Sequence, residues 1–155
     1  MLSKKSKYAI KALVYLAKKY EQGPVLISQI AEEERIPKKF LEAILLDLRK
    51  QSILASKKGA GGGYYLIKPP SDVSLSSVLR LTDGPIAITS CVSLNFYERC
   101  AECLDEVTCS MRDVAKDVRD ASLRILSKTT VEDLLEREKR LEKLPSQGKK
   151  LKKKK

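Results

Sequence analysis

The chain has 155 residues, of which 43% are apolar and 33% are charged, with eight aromatic side chains and no tryptophan. This length allows one ordinary core with an appendage or two small domains, and the composition is typical of a soluble, helix-rich protein. No apolar run approaches the length of a membrane-spanning helix, and the start of the chain lacks the apolar core of a signal peptide. We therefore expect a cytoplasmic protein without a membrane partner.

The net charge of +11 is concentrated in the first half of the chain and at its end. Residues 1–70 carry 14 Lys and Arg against 6 Asp and Glu, whereas residues 71–148 carry 11 against 14. This asymmetry predicts a polyanionic partner for the N-terminal module. Residues 149–155 contain six lysines, and like charges in a row repel one another, so we expect residues 145–155 to form a disordered, lysine-rich tail.

Two helices are predicted at the start of the chain. Residues 5–20 place apolar side chains at spacings of one, three and four, which indicates an amphipathic helix with one buried stripe. Gly23 and Pro24 end this helix, because proline cannot continue the backbone hydrogen bonds. Ser28 is predicted to cap a short second helix, residues 29–34, by accepting a hydrogen bond from its first turn.

A third helix is predicted from Pro37 to about Lys50, since the fixed φ of proline suits the first helical position. Two helices with a tight connection, the second presenting Lys38 and Lys39 at its start, have the organisation of a helix-turn-helix. Arg35 stands where this turn often uses glycine, so we expect a strained or slightly different turn. The apolar positions of the third helix, which predict one buried face, are Phe40, Leu41, Ile44, Leu45 and Leu48.

A β hairpin follows the third helix. Residues 53–56 and 64–67 are short strand-like runs, joined by the basic, glycine-rich segment 57–63. A hairpin directly after a recognition helix is the wing of a winged helix. Its glycines let the protein backbone approach the sugar-phosphate backbone of DNA or enter a minor groove. A nucleotide phosphate loop fits less well, because no helix opens after Gly63 and the Lys-Ser/Thr ending is missing.

The second half contains a further short helix, an aperiodic segment and a long helix. Ser74 is predicted to cap a helix over residues 75–81, and residues 85–109 have no sustained period. From residue 110 to 127 a heptad-like apolar seam returns, which favours pairing of two chains over packing within one chain without excluding the latter. The seam residues, which we predict at a dimer interface, are Met111, Val114, Val118, Ala121 and Ile125. A charged helix is predicted over residues 131–144.

All four cysteines fall within nineteen residues of the aperiodic segment, with the spacing C-x8-C-x2-C-x5-C, and the chain has no histidine. Four thiolates suit an iron-sulfur cluster or tetrahedral zinc, and metal-free thiols that form a reversible disulfide are a third alternative. An enzyme with a cysteine nucleophile is not expected, because the usual histidine base is absent. The candidate metal ligands are Cys91, Cys100, Cys103 and Cys109.

The candidate DNA contacts lie in the first half. Lysines at the start of the third helix have the chemistry to hydrogen-bond guanine or to touch phosphate, whereas basic residues at the end of that helix and on the wing are better suited to backbone contacts. The predicted DNA-binding residues are Ser28, Pro37, Lys38, Lys39, Glu42, Arg49, Lys57, Lys58, Gly59, Gly61, Gly62 and Tyr64.

Four runs of sequence together resemble the Rrf2 family of winged-helix regulators: residues 7–17, 27–31, 58–64 and 81–85, the last ahead of a cysteine. The resemblance implies a homodimeric transcription factor whose long helix crosses that of its partner and whose cysteine loop holds an iron-sulfur cluster. The cysteine spacing departs from the family's pattern of three nearly evenly spaced cysteines with a fourth ligand from elsewhere.

We thus predict a mainly α protein: a winged helix-turn-helix with a two-stranded β wing and a long C-terminal dimerisation helix. The predicted units are a DNA-binding domain over residues 1–84, a cysteine-bearing sensor loop over 85–109, and a dimerisation helix with a terminal helix over 110–144. The predicted function is homodimeric regulation of transcription on double-stranded DNA, with affinity modulated by the cysteine loop. The alternative is a zinc-stabilised basic module that binds RNA or an acidic protein.

Overall fold

The computed structural model describes residues 2–144, which form six α helices, two short 3-10 turns and one antiparallel sheet of two strands. The mainly helical class with a two-stranded wing is therefore confirmed, whereas the predicted tail over residues 145–155 lies outside the described residues. Between residues 2 and 144, none of the helices has the length and apolarity needed to cross a membrane. The elements are α1 Lys4–Lys18, α2 Ile27–Glu33, α3 Lys38–Lys50, β1 Leu54–Lys57, β2 Gly63–Leu66, α4 Leu75–Asp83, α5 Ser110–Lys128 and α6 Val131–Glu142.

One main hydrophobic core joins α1, α2, α3, the wing, α4 and α6. The 3.6-residue spacing in α1 puts Ala9, Leu13 and Leu16 on its inner face, and these pack against the buried face of α3. Burying a leucine side chain stabilises a fold by roughly 1.5–3 kcal/mol, so this stripe holds the helices together. Helix α3 is thereby fixed on a rigid support.

The helix-turn-helix departs from the sequence-based expectation at the start of α2. Leu26 occupies the N-cap without a side-chain hydrogen bond, so the predicted cap by Ser28 is wrong. The helix begins at Ile27, two residues before the predicted start, directly after the extended segment in which Val25 forms a β bridge with Tyr64. Ser28 lies inside the first turn, with its side chain exposed.

The turn between α2 and α3 contains the expected departure. Arg35 has a φ of 53°, in the left-handed region where glycine is usual. The Ile36 amide donates to the Ala31 carbonyl oxygen at 2.9 Å, which closes the turn. Pro37 then serves as the N-cap of α3 instead of its first residue.

The buried face of α3 is smaller than predicted. Leu41, Ile44, Leu45 and Leu48 are fully buried, but Phe40 is 54% exposed, so its predicted burial is wrong. The Phe40 ring packs edge-on against Tyr8 with its ring centre 6.2 Å away, at the border of the core. An aromatic side chain at that border buries one edge and leaves the remainder in solvent.

The wing is held by the rest of the module on one side. Its strands pair from Leu54 opposite Leu66 to Lys57 opposite Gly63, within one residue of the predicted runs. The Val25 amide donates to the Tyr64 carbonyl at 2.9 Å, and the Tyr64 amide donates to the Val25 carbonyl at 2.8 Å. The wing therefore has a third, one-residue strand that comes from the segment before α2.

Among the glycine-to-alanine substitutions in the wing, Gly63→Ala is expected to cause the largest loss of stability. A Cβ at Gly63 would lie 2.1 Å from the Val25 carbonyl oxygen, and the residue has a φ of +149°. Together these costs amount to about 2–4 kcal/mol in the free energy of unfolding, measured by urea denaturation. Gly61→Ala is the control: its Cβ meets nothing within 4 Å, so only its φ of +71° opposes the change, at about 1 kcal/mol. Equal losses in the two variants would contradict the contact.

The N-terminus of α1 is fastened to the C-terminus of α4. Ser74 caps α4 as predicted, by accepting from the Ser77 amide at 3.3 Å. At the other end, Asp83 accepts hydrogen bonds from the Ser3 amide at 3.1 Å and from the Ser3 hydroxyl. Desolvation opposes ionisation of this carboxyl, but the hydrogen bonds from Ser3 and Ser6 outweigh it and hold the pKa of Asp83 below its usual value.

The chain returns to the core after α5. The Val131 amide donates to the Val73 carbonyl at 2.9 Å, and the Leu75 amide donates to the Thr129 carbonyl at 2.8 Å. These bonds tie the end of α5 to the start of α4, and α6 then packs against α1 and buries Val131 and Leu135 in the main core. The terminal helix thus shares the core of residues 1–84, while the boundaries of the predicted units remain predictions.

Candidate DNA-binding face and cysteine pocket

The face of α3 opposite its buried leucines is exposed and basic at its start. Pro37, Lys38, Lys39 and Glu42 are all exposed. Within residues 2–144 neither Lys38 nor Lys39 has a carboxylate within 4.0 Å. The acidic residue Asp47 of α3, by contrast, pairs with Lys5 of α1 at 2.7 Å. The positive charge at the start of α3 is therefore directed to solvent and the acidic Asp47 is compensated.

The wing residues predicted to touch DNA fall into two groups. Lys57, Lys58, Gly59 and Gly61 are exposed at the tip. Gly62 is buried, and a Cβ there would lie 2.4 Å from the Lys57 carbonyl oxygen. The first group is available to a partner, whereas Gly62 is required by the shape of the wing itself.

Two further candidates connect the wing to the helices. Tyr64 is half-buried and packs against the main core while its backbone bridges to Val25. The Arg49 guanidinium donates to the Ser56 hydroxyl at 3.0 Å, which links the end of α3 to β1. The orientation of the wing relative to α3 is thus set by direct contacts. Ser56 was not identified from the sequence.

All four cysteines line one pocket of about 350 Å³, here called the cysteine pocket, between the loop 85–109 and the start of α5. Cys91 lies in the 3-10 turn Ser90–Val92 and is 5% exposed, while the other three thiols are half-buried. Cys109 is the N-cap of α5, and its sulfur accepts from the Arg112 amide at 3.4 Å. The loop therefore gathers four cysteines spread over nineteen residues around one pocket, and the last of them caps the long helix.

Cys91 is anchored by packing against α5. It forms a small apolar cluster with Val92 and Ala115, against which Cys100 packs. Arg119 of α5 donates to the Val92 carbonyl oxygen at 2.7 Å. Hydrogen bonding with Cys91, followed by charge repulsion from it and by desolvation, raises the pKa of the Cys100 thiol. The two thiols are thus neighbours although eight residues separate them.

Arg112 is a feature of the cysteine pocket that the sequence reasoning missed. It lies one turn after Cys109 and is the one basic residue among those that line the pocket. Its guanidinium approaches Glu106 at 3.5 Å, and its buried Nε has no hydrogen-bond partner within the described part of the chain. Its position three residues after a cysteine that precedes a helix is the sequence signal that was available.

The donor set of the pocket fits an iron-sulfur cluster, because such clusters are held by cysteine thiolates. Within residues 2–144 no three His, Cys, Asp or Glu groups stand close enough together to hold a single metal ion. Zinc needs its four ligands around one point, with Zn–S bonds of about 2.3 Å, so a zinc site requires the loop to close further. The ligands of an iron-sulfur cluster bind different iron atoms and therefore stand farther apart, so the loop would need to close less around a cluster than around zinc.

The apolar seam of α5 is not covered by its own chain. Met111, Val114 and Ile125 are more than half exposed, Val118 is 41% exposed and Ala121 is half-buried. Only Ala115 of α5 is fully buried. The alternative that the seam packs within a single chain is therefore wrong, and a continuous apolar strip about four turns long faces solvent.

Comparison with known proteins points to one group. The Rrf2 family model, described as an iron-dependent transcriptional regulator, matches residues 2–137. An rrf2-like HTH-type transcriptional regulator of Rhodobacter capsulatus is 44% identical over 138 residues, covering 87% of this chain and 92% of the relative. The HTH-type transcriptional regulator CymR of Bacillus subtilis is 29% identical over 133 residues, covering 86% and 88%.

Solved structures of similar proteins share the fold. The structure of CymR, the global cysteine regulator of B. subtilis, covers 88% of this chain and 97% of its own, with a TM-score of 0.73 and 28% identity. The structure of T. potens IscR covers 96% of this chain and 93% of its own, also with a TM-score of 0.73, at 24% identity. The winged-helix arrangement of α1 to α4 and the long α5 are thus those of known regulators.

Proposed function

Because the chain belongs to the Rrf2 family of transcriptional regulators, we propose that it binds a pseudo-palindromic site on double-stranded DNA as a homodimer in the cytoplasm, under control of its cysteine loop. The relatives are regulators of transcription and not enzymes. The observation that carries the proposal is the exposed, unpaired basic start of α3 beside a basic wing on the same rigid module.

The recognition helix and the wing have separate tasks in this proposal. The N-terminal residues of a recognition helix contact base edges in the major groove, and here these are Lys38, Lys39 and Glu42. The exposed tip residues Lys57 and Lys58 contact the phosphate backbone, which sets affinity and its salt dependence but carries no sequence information. The Arg49 to Ser56 hydrogen bond keeps the two elements in one orientation.

The seam of α5 supports the homodimer. An exposed apolar strip with heptad-like spacing is self-complementary when two copies pack along a two-fold axis. Pairing through Val114, Val118 and Ile125 would place two DNA-binding modules at a fixed separation, as a two-fold symmetric site requires.

The cysteine pocket supports a sensing role. Cys91, Cys100, Cys103 and Cys109 would hold an iron-sulfur cluster, which supplies one-electron redox chemistry and sensitivity to oxidants when bound. Cys109 begins α5 and Cys91 packs on it, so the state of the thiols acts directly on the pairing helix. The loop controls transcription only if its two states differ in their affinity for DNA.

Operator selection from a random duplex pool tests the DNA-binding function. Duplex DNA carrying the selected site is expected to outcompete both random DNA and RNA of equal length by about a thousandfold or more. Preferential binding of RNA would instead support the alternative of a zinc-stabilised basic module, which the family relationship does not favour.

Replacement of all four cysteines by serine tests the sensing function. The variant should bind the operator with one affinity under anaerobic and oxidising conditions, whereas the unmodified chain, reconstituted anaerobically with iron and sulfide, should differ between them by about 5- to 150-fold, the usual range of coupling between two sites. Iron, sulfide and zinc analysis identifies the bound group. Equal affinities of the unmodified chain in both conditions would contradict a role in sensing.

A further inference from the structure

We propose that Cys91 and Cys100 form a reversible disulfide when the cysteine pocket holds no cluster, and that this bond prevents a cluster from assembling. The inference deepens the proposed redox response by naming the pair of thiols, and it rests on that function only for its consequence on DNA. Cys100 and Cys103 are closer to each other in the sequence, with two residues between them.

The packing brings Cys100 to Cys91. Cys91 is nearly inaccessible and held against α5, because it packs on Ala115 and the adjacent Val92 carbonyl accepts from Arg119. Cys100 packs against this same cluster from the loop side. A disulfide needs Cα atoms about 4.4–6.8 Å apart and facing Cβ atoms, and a thiol already packed against its neighbour requires the smallest loop movement to reach that geometry.

The other two thiols lie outside the apolar cluster that contains Cys91. The sulfur of Cys109 accepts from the Arg112 amide at the start of α5. Cys103 follows Cys100 in a tight turn, in which its amide donates to the Cys100 carbonyl at 3.2 Å, and it does not belong to the apolar cluster around Cys91. The turn holds the backbones of Cys100 and Cys103 together, but the side-chain packing favours Cys91 as the partner of Cys100.

The chemistry requires an oxidant of the peroxide class. The sulfur of Cys100, the more exposed of the pair, attacks one oxygen of the peroxide, the O–O bond breaks, the departing hydroxide takes up the proton of the thiol and leaves as water, and Cys100 becomes a sulfenic acid. Cys91 then attacks the Cys100 sulfur and displaces the second oxygen as water. Overall two thiols and one peroxide give one disulfide and two waters, and two electrons pass from sulfur to oxygen.

The disulfide between Cys91 and Cys100 is incompatible with a cluster that is bound by all four thiolates. Cluster ligands are thiolates, and a disulfide removes both sulfurs from that form. Only Cys103 and Cys109 then remain, which is half of the donor set. The cluster-bound and the disulfide states are therefore alternatives, and a thiol reductant returns the chain to the state that accepts a cluster.

Peptide mapping of the full chain tests the pairing. Cluster-free protein, prepared anaerobically with an iron chelator, is treated with hydrogen peroxide and blocked with an alkylating agent. Trypsin separates Cys91, in residues 81–99, from the other three cysteines in residues 100–112, because it cleaves after Arg99 and Arg112. A glutamate-specific protease then separates Cys100 from Cys103 by cleavage after Glu102.

We expect a mass loss of about 2 Da and a linkage of the fragment that contains Cys91 to the fragment that contains Cys100. Cys103→Ser should retain most of this linkage, whereas Cys91→Ser and Cys100→Ser should each lose it. A dominant bond between Cys100 and Cys103, or the absence of any disulfide at peroxide concentrations that oxidise free cysteine, would overturn the pairing.

Reconstitution tests the consequence of the bond. The oxidised chain should take up less than about a tenth of the iron that the reduced chain takes up from ferrous iron and sulfide, and dithiothreitol should restore the uptake. Equal uptake by the oxidised chain would overturn the exclusion. Neither readout involves DNA, so failure of operator selection would refute the proposed function without touching the disulfide.

Discussion

Val118→Glu is expected to convert the protein into a monomer and to lower operator affinity by at least about a hundredfold. In a two-fold dimer the substitution places two carboxylates in the apolar seam, where burial of an unpaired charge is strongly unfavourable. A monomer engages one half-site at a time and loses the factor of about 10²–10⁴ that simultaneous binding of two linked sites provides. Sedimentation velocity and gel shift measure the two effects.

Lys116→Gln is the matched control for this substitution. It changes the net charge by the same amount, but at 3.6 residues per turn position 116 lies about 160° around α5 from position 118. The control should remain dimeric and bind the operator normally. A Val118→Glu variant that stays dimeric would show that the two chains do not pair through this seam.

The double variant Lys38→Ala, Lys39→Ala is expected to abolish preference for the selected operator over random DNA. Each recognition-helix contact to a base edge is worth about 1–3 kcal/mol, and a dimer loses every contact twice, so specific affinity should fall by about a hundredfold or more. Nonspecific affinity should fall much less, because base contacts contribute most of the specificity. Fluorescence anisotropy with both DNAs separates the two quantities.

The wing variant Lys57→Ala, Lys58→Ala should behave differently. It should weaken binding to both DNAs alike and reduce the slope of log K against log salt, by up to about 3.6 if all four lysines of a dimer touch phosphate. Lys128→Ala, Lys139→Ala removes the same charge from α5 and α6 and should leave specificity unchanged. If the wing variant lost operator preference and the α3 variant kept it, the assigned tasks would be reversed.

The helical core and the wing were predictable because they rest on local patterns. The 3.6-residue period of α1 and α3 and the glycine-rich hairpin indicate helix and turn without knowledge of distant residues. The errors at Ser28 and Phe40 both depend on the tertiary structure: α2 begins at Ile27, directly after the bridge of Val25 to Tyr64 and two residues before the predicted start, and Phe40 lies at the border of the core. The bridge and the aromatic contact of Phe40 both join residues more than thirty positions apart, so no local sequence pattern indicates them.

The cysteine pocket was predictable in composition but not in arrangement. The four thiols and the absence of histidine are evident from the chain, and they limit the ligand chemistry. The neighbourhood of Cys91 and Cys100 depends on how the loop folds back on Ala115, and the position of Arg112 depends on where α5 begins. Spacing alone therefore does not reveal that Cys100 packs against the cluster that contains Cys91.

The two ends of the α5 segment have an architectural consequence for the spacing of the operator. Val131 and Leu75 tie the exit of α5 to the start of α4, while Arg119 and Cys109 tie its other half to the loop that leaves α4. Helix α5 is therefore held at both ends by its own chain and is not free to rotate about a hinge. Shifting the register of the seam by one heptad would therefore change the distance between the half-sites.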